Sequence, residues 1–244
     1  MKCCSQSWWH LIHYVYLTQL FIEEWGLLCT HLQRSTHLIR CILNVRRHEL
    51  NPIDQVKPLS ILHEIAEHYL RDGEDFAARF DLLWESQLHK TGRIKSFVDL
   101  LMASECTLKA HIALGQLEQD PQTVYRAIRK AGHQIAPLAE AATFLQDRTS
   151  YDELTRRLQI FSVFVRYSLE AYDTFFPFYV NWHEAKIDYS KTIGNNGWVL
   201  ETRKILEPLQ KTANDALIGW VTNDIGAIFE YERQMKEFME ANAK

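Results

Sequence analysis

The stretch Phe97–Leu117, FVDLLMASECTLKAHIALGQL, decides the fold. It holds no proline, and its one glycine, Gly115, lies near the end. Phe97, Leu101, Leu108, Ile112 and Gly115 recur at helical spacing, and Leu100, Ser104, Leu108 and His111 form an overlapping stripe. Val98, Met102, Cys106 and Ala113 put apolar or small side chains on other sides. A helix that is apolar most of the way round has neighbours on several sides. Its polar exceptions are ordered: Glu105 precedes Lys109 by four residues, the spacing and direction at which the two pair on one face. The expectation is an all-α bundle of about six to eight helices around a central helix at 97–117.

Composition agrees. The chain has 244 residues, enough to bury a core without disulfides. Only 9 Gly and 6 Pro interrupt it, which leaves room for long helices and argues against a turn-rich β fold. A net charge of −4 argues against a surface covered in basic side chains for bulk nucleic-acid binding, though a local basic cleft is compatible with it. Four of the five cysteines (Cys3, Cys4, Cys29, Cys41) fall in the first 41 residues, and no CxxC spacing occurs. Reduced thiols in a cytoplasmic protein are therefore expected, with no zinc site.

Outward from the centre, Asn51-Pro52 and Lys57-Pro58 mark a loop. A helix capped by Ser60 follows, with Leu62, Ala66, Tyr69 and Leu70 in its stripe and Asp72-Gly73 at its end. A second helix is expected from Glu74 to His89, with Phe76, Phe80, Leu83 and Trp84 inward. Beyond the central helix, Asp120-Pro121 pairs an N-cap with proline at the first helical position, and this short helix ends at Gly132. Another short helix carries Ile135, Leu138 and Phe144. Ser150 and Glu153 read as a capping box before a long helix with Leu154, Leu158, Phe161, Val165 and Leu169 as its stripe. Phe175-Phe176-Pro177-Phe178 breaks it. Gly194-Asn195-Asn196-Gly197 is a turn, and two helices follow at 198–221 and 223–241, with Pro208 a kink point in the first.

Residues 1–44 differ in character, with Trp8, Trp9, Trp25 and only five charged side chains. His10, His13, Gln19, Glu23 and Glu24 interrupt Trp8–Leu28, so a transmembrane span is not expected, since a span needs about 20 mostly apolar residues. A signal peptide is not expected either, for want of a small-residue cleavage site after a basic start. Three readings stay open: an amphipathic helix lying on the bundle or a membrane surface, a poorly specified appendage, or a misassigned translation whose natural start lies near Asn44. The domain reading is an appendage at 1–50 and a helical bundle at 51–244.

Three motifs then stand in order. Glu105-Cys106-Thr107-Leu108-Lys109 follows an E-x-x-x-K pattern on the central helix, Gly132-His133-Gln134-Ile135-Ala136-Pro137-Leu138 opens a short helix, and Arg166-Tyr167 falls near the end of the capped helix. Over about residues 75–170 the chain resembles HEPN domains, helical bundles that carry E-x-x-x-K, G-H-[DN]-L-x-x-L and R-Y in this order. The resemblance implies a helical binding or regulatory module, linked to RNA or to defence systems. Its implied partners are a second copy of the chain, RNA, or a protein. RNA-cleaving members use an Arg-x4–6-His motif across a dimer; Arg126 and His133 fit that spacing, with Arg129 and Lys130 adding charge. Cationic donors at a scissile phosphate and a histidine for proton transfer would serve metal-independent RNA cleavage. In those enzymes, however, the motif usually lies near the C-terminal helix, whereas here it ends on the G-H segment.

Each motif also has a plain structural reading. His133 can bond a neighbouring backbone group in a tight interhelical corner. Arg166, if buried, needs an acceptor, and Glu105 is the natural one, so Glu105, Lys109 and Arg166 are expected to form a buried polar cluster. Arg126, Arg129 and Lys130 can be a solvated face, as can Arg156-Arg157. The aromatics from Tyr167 to Trp182 can be core. His63-Glu64-Ile65-Ala66-Glu67-His68 is no zinc-protease motif, because its histidines stand at i and i+5 rather than i and i+4. No Gly-rich phosphate loop, GxSxG or repeated Glu-x-x-His occurs, so no cofactor or metal is expected. The reading taken is a HEPN-like binding or regulatory module. Its rivals are an endoribonuclease using Arg126 and His133, and a helical protein–protein scaffold without a nucleic-acid role.

Overall fold

The computed structural model describes residues 60–87, 89–177, 185–217 and 224–243. All belong to one unit, 56–244; the expectations for residues 1–44 lie outside the described residues. Among the described residues eight α-helices run in order: α1 (Ile61–Trp84), α2 (Lys90–Gly115), α3 (Pro121–Ala131), α4 (Ile135–Ala141), α5 (Thr149–Leu158), α6 (Ser168–Phe175), α7 (Asn196–Leu217) and α8 (Ile225–Asn242). One 3₁₀ turn, Val163–Arg166, precedes α6, and no strand occurs among the described residues. The protein is an all-α bundle. None of these helices is long and apolar enough to cross a membrane.

The central helix is α2. Nineteen of its 26 residues are buried, and it packs against α1, α3, α4, the 3₁₀ turn, α6 and α7. Its buried hydroxyls are satisfied within the helix: Ser104 Oγ donates to the Leu100 carbonyl at 2.9 Å and Thr107 Oγ1 to that of Ala103 at 2.8 Å. His111 ties it to two neighbours. Its Nδ1 lies 2.6 Å from the Tyr151 hydroxyl on α5, and its Nε2 lies 3.0 Å from the Leu209 carbonyl on α7. A carbonyl can only accept, so Nε2 carries the proton and Nδ1 accepts from Tyr151. The Leu145 amide, 3.2 Å away, donates to the same hydroxyl and completes a satisfied buried chain.

The structure corrects the expected helix end at Asp72-Gly73, because α1 runs unbroken from Ile61 to Trp84. Glycine inside a helix costs only about 1 kcal/mol relative to alanine, and here it permits a close crossing. A Cβ on Gly73 would lie 3.1 Å from Thr107 Oγ1 and 3.2 Å from the Ala103 carbonyl oxygen, so α1 and α2 touch at Gly73. Ser60 caps α1 as expected, its Oγ accepting from the Leu62 amide at 3.3 Å.

The second correction concerns residues 149–175. The expected long helix is broken into α5, the 3₁₀ turn and α6, and the Ser150–Glu153 capping box does not form. Asp147 binds the helix start instead, accepting from the Thr149 amide at 2.9 Å and its hydroxyl at 2.6 Å. Arg156 and Arg157 draw Glu153 away and hold its carboxyl down at about 2. Arg157 is not on a wet face: it also donates to the Trp198 carbonyl at 3.0 Å and to Glu201 at 3.0 Å, fastening α5 to α7. Past Leu158, Ser162 Oγ accepts from the Phe164 amide and starts a new turn. Phe161 then packs in the core against Phe97, Phe175 and Trp198, with ring centroids 4.9, 6.3 and 6.0 Å away. Leu154, Leu158 and Val165 are buried, whereas Leu169 is 80% exposed.

Asp120 caps α3 through the Thr123 amide at 2.8 Å with Pro121 in the first turn, and Gly132 ends it at φ +60°, where glycine is favoured. The turn before α7 carries more than a chain reversal. Asn196 Oδ1 accepts from Trp84 Nε1 at 2.7 Å and from Arg93 at 3.0 Å, joining the end of α1 and the start of α2 to α7.

Candidate functional site

Where α3 hands over to α4, the chain turns back onto the middle of α2. Glu105 is buried there, and its carboxylate accepts from two side chains. Lys109, one turn on along α2, donates Nζ to Oε1 at 2.5 Å. His133, placed by the Gly132 turn, brings Nδ1 to 2.9 Å from Oε2 and 3.0 Å from Oε1. A carboxylate accepts, so Nδ1 carries the proton and Nε2 is left facing outward on a half-exposed ring. The Lys109 ammonium also sits 5.3 Å over the ring of Tyr69 on α1, a cation–π contact. Two groups that share their proton with the same buried anion make Glu105 tolerable in the core, where an unpaired carboxylate is costly.

The surroundings raise the pKa of neighbouring groups. Burial pushes the Tyr69 hydroxyl up to about 12, with Tyr125, Cys106 and Glu105 adding to the rise and Arg129 opposing it. Burial likewise pushes the Cys106 thiol up to about 12, with Glu105 next in effect. Cys106 is thus a protonated core thiol, not a nucleophile.

The sequence named Arg166 as the partner of Glu105, and the structure corrects this. Arg166 is exposed at the end of the 3₁₀ turn, where it donates to the Tyr167 hydroxyl at 2.7 Å and stacks 4.8 Å over that ring. The breakage of the long helix after Leu158 carries it away from α2's polar centre. The expected Glu105–Lys109 pair forms, and His133 takes the third place. Spacing alone could not show this, because 28 residues and three helix ends separate His133 from Glu105.

Arg126, Arg129 and Lys130 stand at i, i+3 and i+4 on the exposed face of α3, opposite the buried Val124 and Ile128. None is ion-paired with a carboxylate among the described residues. Arg129 lies 5.8 Å over the Tyr125 ring, and Arg126 contributes to the field at the Asp120 cap. Arg126 shares no hydrogen bond with His133. The cations therefore lie on the exposed face of the helix that leads into His133.

Among the described residues no group of three His, Cys, Asp or Glu side chains is placed to hold a metal. His63 is buried and His68 exposed, so the two face different ways, and His68 Nε2 pairs with Glu64 at 3.0 Å. The aromatics after Tyr167 divide: Phe175 is core and Phe176 half-buried, while Tyr172 is exposed; Phe178, Tyr179 and Trp182 lie outside the described residues. A scan against protein-family models and searches of curated proteins and of solved structures returned no match.

Proposed function

We propose that the chain is a HEPN-like helical binding module whose working face is the exposed side of α3 together with His133, and that the face engages the phosphate backbone of RNA in an RNA-linked or defence role. The observation that carries this reading is the juxtaposition at the α3–α4 corner. A buried carboxylate holds one nitrogen of His133 and turns the other outward, next along the chain from three cations that form no ion pair with a carboxylate among the described residues. Phosphate contacts of this kind supply affinity without sequence preference. The E-x-x-x-K and G-H motifs of the resemblance meet at this corner, which supports the family reading, whereas the R-Y pair lies elsewhere.

Fluorescence anisotropy with a labelled single-stranded RNA tests the proposal. About three phosphate contacts predict a slope of roughly −2 in log affinity against log salt. Arg126→Ala, Arg129→Ala and Lys130→Ala should each weaken binding and flatten that slope. Affinity unchanged in the triple variant would remove RNA from the reading and leave a protein–protein scaffold.

The second reading, a metal-independent endoribonuclease using Arg126 and His133, is favoured by one feature: the outward Nε2 is oriented by a carboxylate, as a general base requires. The same RNA incubated with chelator distinguishes it. Intact RNA supports the binding module, and cleavage lost in His133→Ala supports the enzyme.

A further inference from the structure

A cavity of about 580 Å³ lies between α1, the first half of α2 and the 3₁₀ turn, lined by none of the residues at the α3–α4 corner. Three cations reach it: Arg79, Lys95 and Arg166. One carboxylate lines it, Asp99, and that group is already engaged by Arg79 at 3.3 Å. Lys95 and Arg166 have no acidic partner among the described residues, so the cavity carries two cations in excess. Ser96, only 2% exposed, lines the same cavity.

The rest of the lining is of another kind. Phe76, Leu83 and Met102 are apolar, and the Tyr167 ring, held under the Arg166 guanidinium, is aromatic. Small-molecule sites typically combine such an apolar wall with a few convergent polar groups in about 300–1,000 Å³. A carboxylate ligand would neutralise only one of the two free cations. A phosphate dianion matches both, and it offers a further oxygen to the Ser96 hydroxyl. Inorganic phosphate alone would leave the apolar wall bare.

We propose that this cavity binds an organic phosphate monoester of nucleotide size, its phosphate between Lys95 and Arg166 with Ser96 as donor, and its apolar body against Phe76, Leu83 and Met102. Arg79 and Asp99, paired with each other, complete the charged lining. The site is independent of the α3 face, and either can fail alone.

Isothermal titration of the full chain with AMP and with 4-nitrophenyl phosphate tests the proposal, with adenosine and inorganic phosphate as separate arms. Saturable binding of at least one monoester is expected, with adenosine and phosphate each at least about tenfold weaker, the loss that one charge-assisted contact or the apolar wall brings. Lys95→Ala and Arg166→Ala should each weaken the monoester about tenfold. Both side chains are exposed, so the variants should keep the wild-type circular dichroism and melting temperature. Arg156→Ala, outside the cavity, should bind as wild type. No saturable monoester binding, equal binding of adenosine or of inorganic phosphate, or undiminished affinity in the Lys95 and Arg166 variants would each overturn the assignment.

Discussion

Removing Glu105 should be among the most damaging single changes the bundle can suffer, and the size of the effect follows from exposure. The Glu105 side chain is 1% exposed and that of Lys109 11%. Breaking a buried pair by deleting one partner costs about 3–5 kcal/mol, because the survivor is left charged and unsolvated. Glu105→Ala should therefore lose about 3–5 kcal/mol, and it also frees His133. Lys109→Ala should fall at or below the low end of that range, since His133 still partners the carboxylate. His133 is 56% exposed, so its own pairing with Glu105 should be worth about 1 kcal/mol or less. The Glu105→Ala/Lys109→Ala double variant should lose less than the sum of the singles by about 1–3 kcal/mol, the range seen for directly coupled residues. Urea unfolding with a shared m-value measures all four. Glu105→Ala within about 0.5 kcal/mol of wild type, as for an ordinary surface change, would refute the buried centre.

Further outcomes follow from the same packing. Arg166→Ala should change stability by no more than about 0.5 kcal/mol in urea unfolding, since Arg166 is exposed and, among the described residues, bonds its neighbour Tyr167 and not Glu105. Gly73→Leu should cost about 1–3 kcal/mol or more by forcing α1 from α2, as thermal unfolding would show; a neutral result would mean the helices do not touch there. Burial lowers the His111 pKa, so the unfolded chain takes up that proton first as pH falls. Its contribution is full above the ordinary imidazole value of about 6.5 and is lost as pH drops below it. Stability followed from neutral to mildly acid pH should fall more steeply in wild type than in His111→Gln. Cys106, protonated to about pH 12, should resist alkylation in the native chain at mildly alkaline pH and react on unfolding, as peptide mapping would read.

The helical class and the centrality of residues 97–117 could be read from the chain because an all-round apolar pattern has few other solutions. Local caps were equally legible where one side chain does the work, as at Ser60, Asp120 and Gly132. The misreadings share a cause, which is that the deciding contact is distant in sequence. Gly73 looks like a helix stop until Thr107 is seen across the crossing. Glu153 looks like a capping partner until Arg157, anchored on α7, competes for it. Arg166 looks like a buried cation only if the helix carrying it is unbroken, and the turn at Ser162 breaks it. The polar centre was half legible for the same reason. Glu105 and Lys109 announce each other at i and i+4, whereas His133 arrives through one short helix, α3, and the Gly132 turn. His111, read as one position in a stripe, is satisfied by Tyr151 and Leu209, and neither is signalled by any spacing.

The central claim is that Glu105 fixes the proton of His133 on Nδ1 and turns Nε2 outward. Long-range proton–nitrogen NMR of the histidine side chains in alkaline buffer tests it directly, with His133→Gln assigning the ring. Wild type should show a protonated Nδ1 and a bare Nε2, and Glu105→Gln should shift the ring toward the Nε2-protonated tautomer. A wild-type His133 already protonated at Nε2, with Nδ1 bare, would contradict the account.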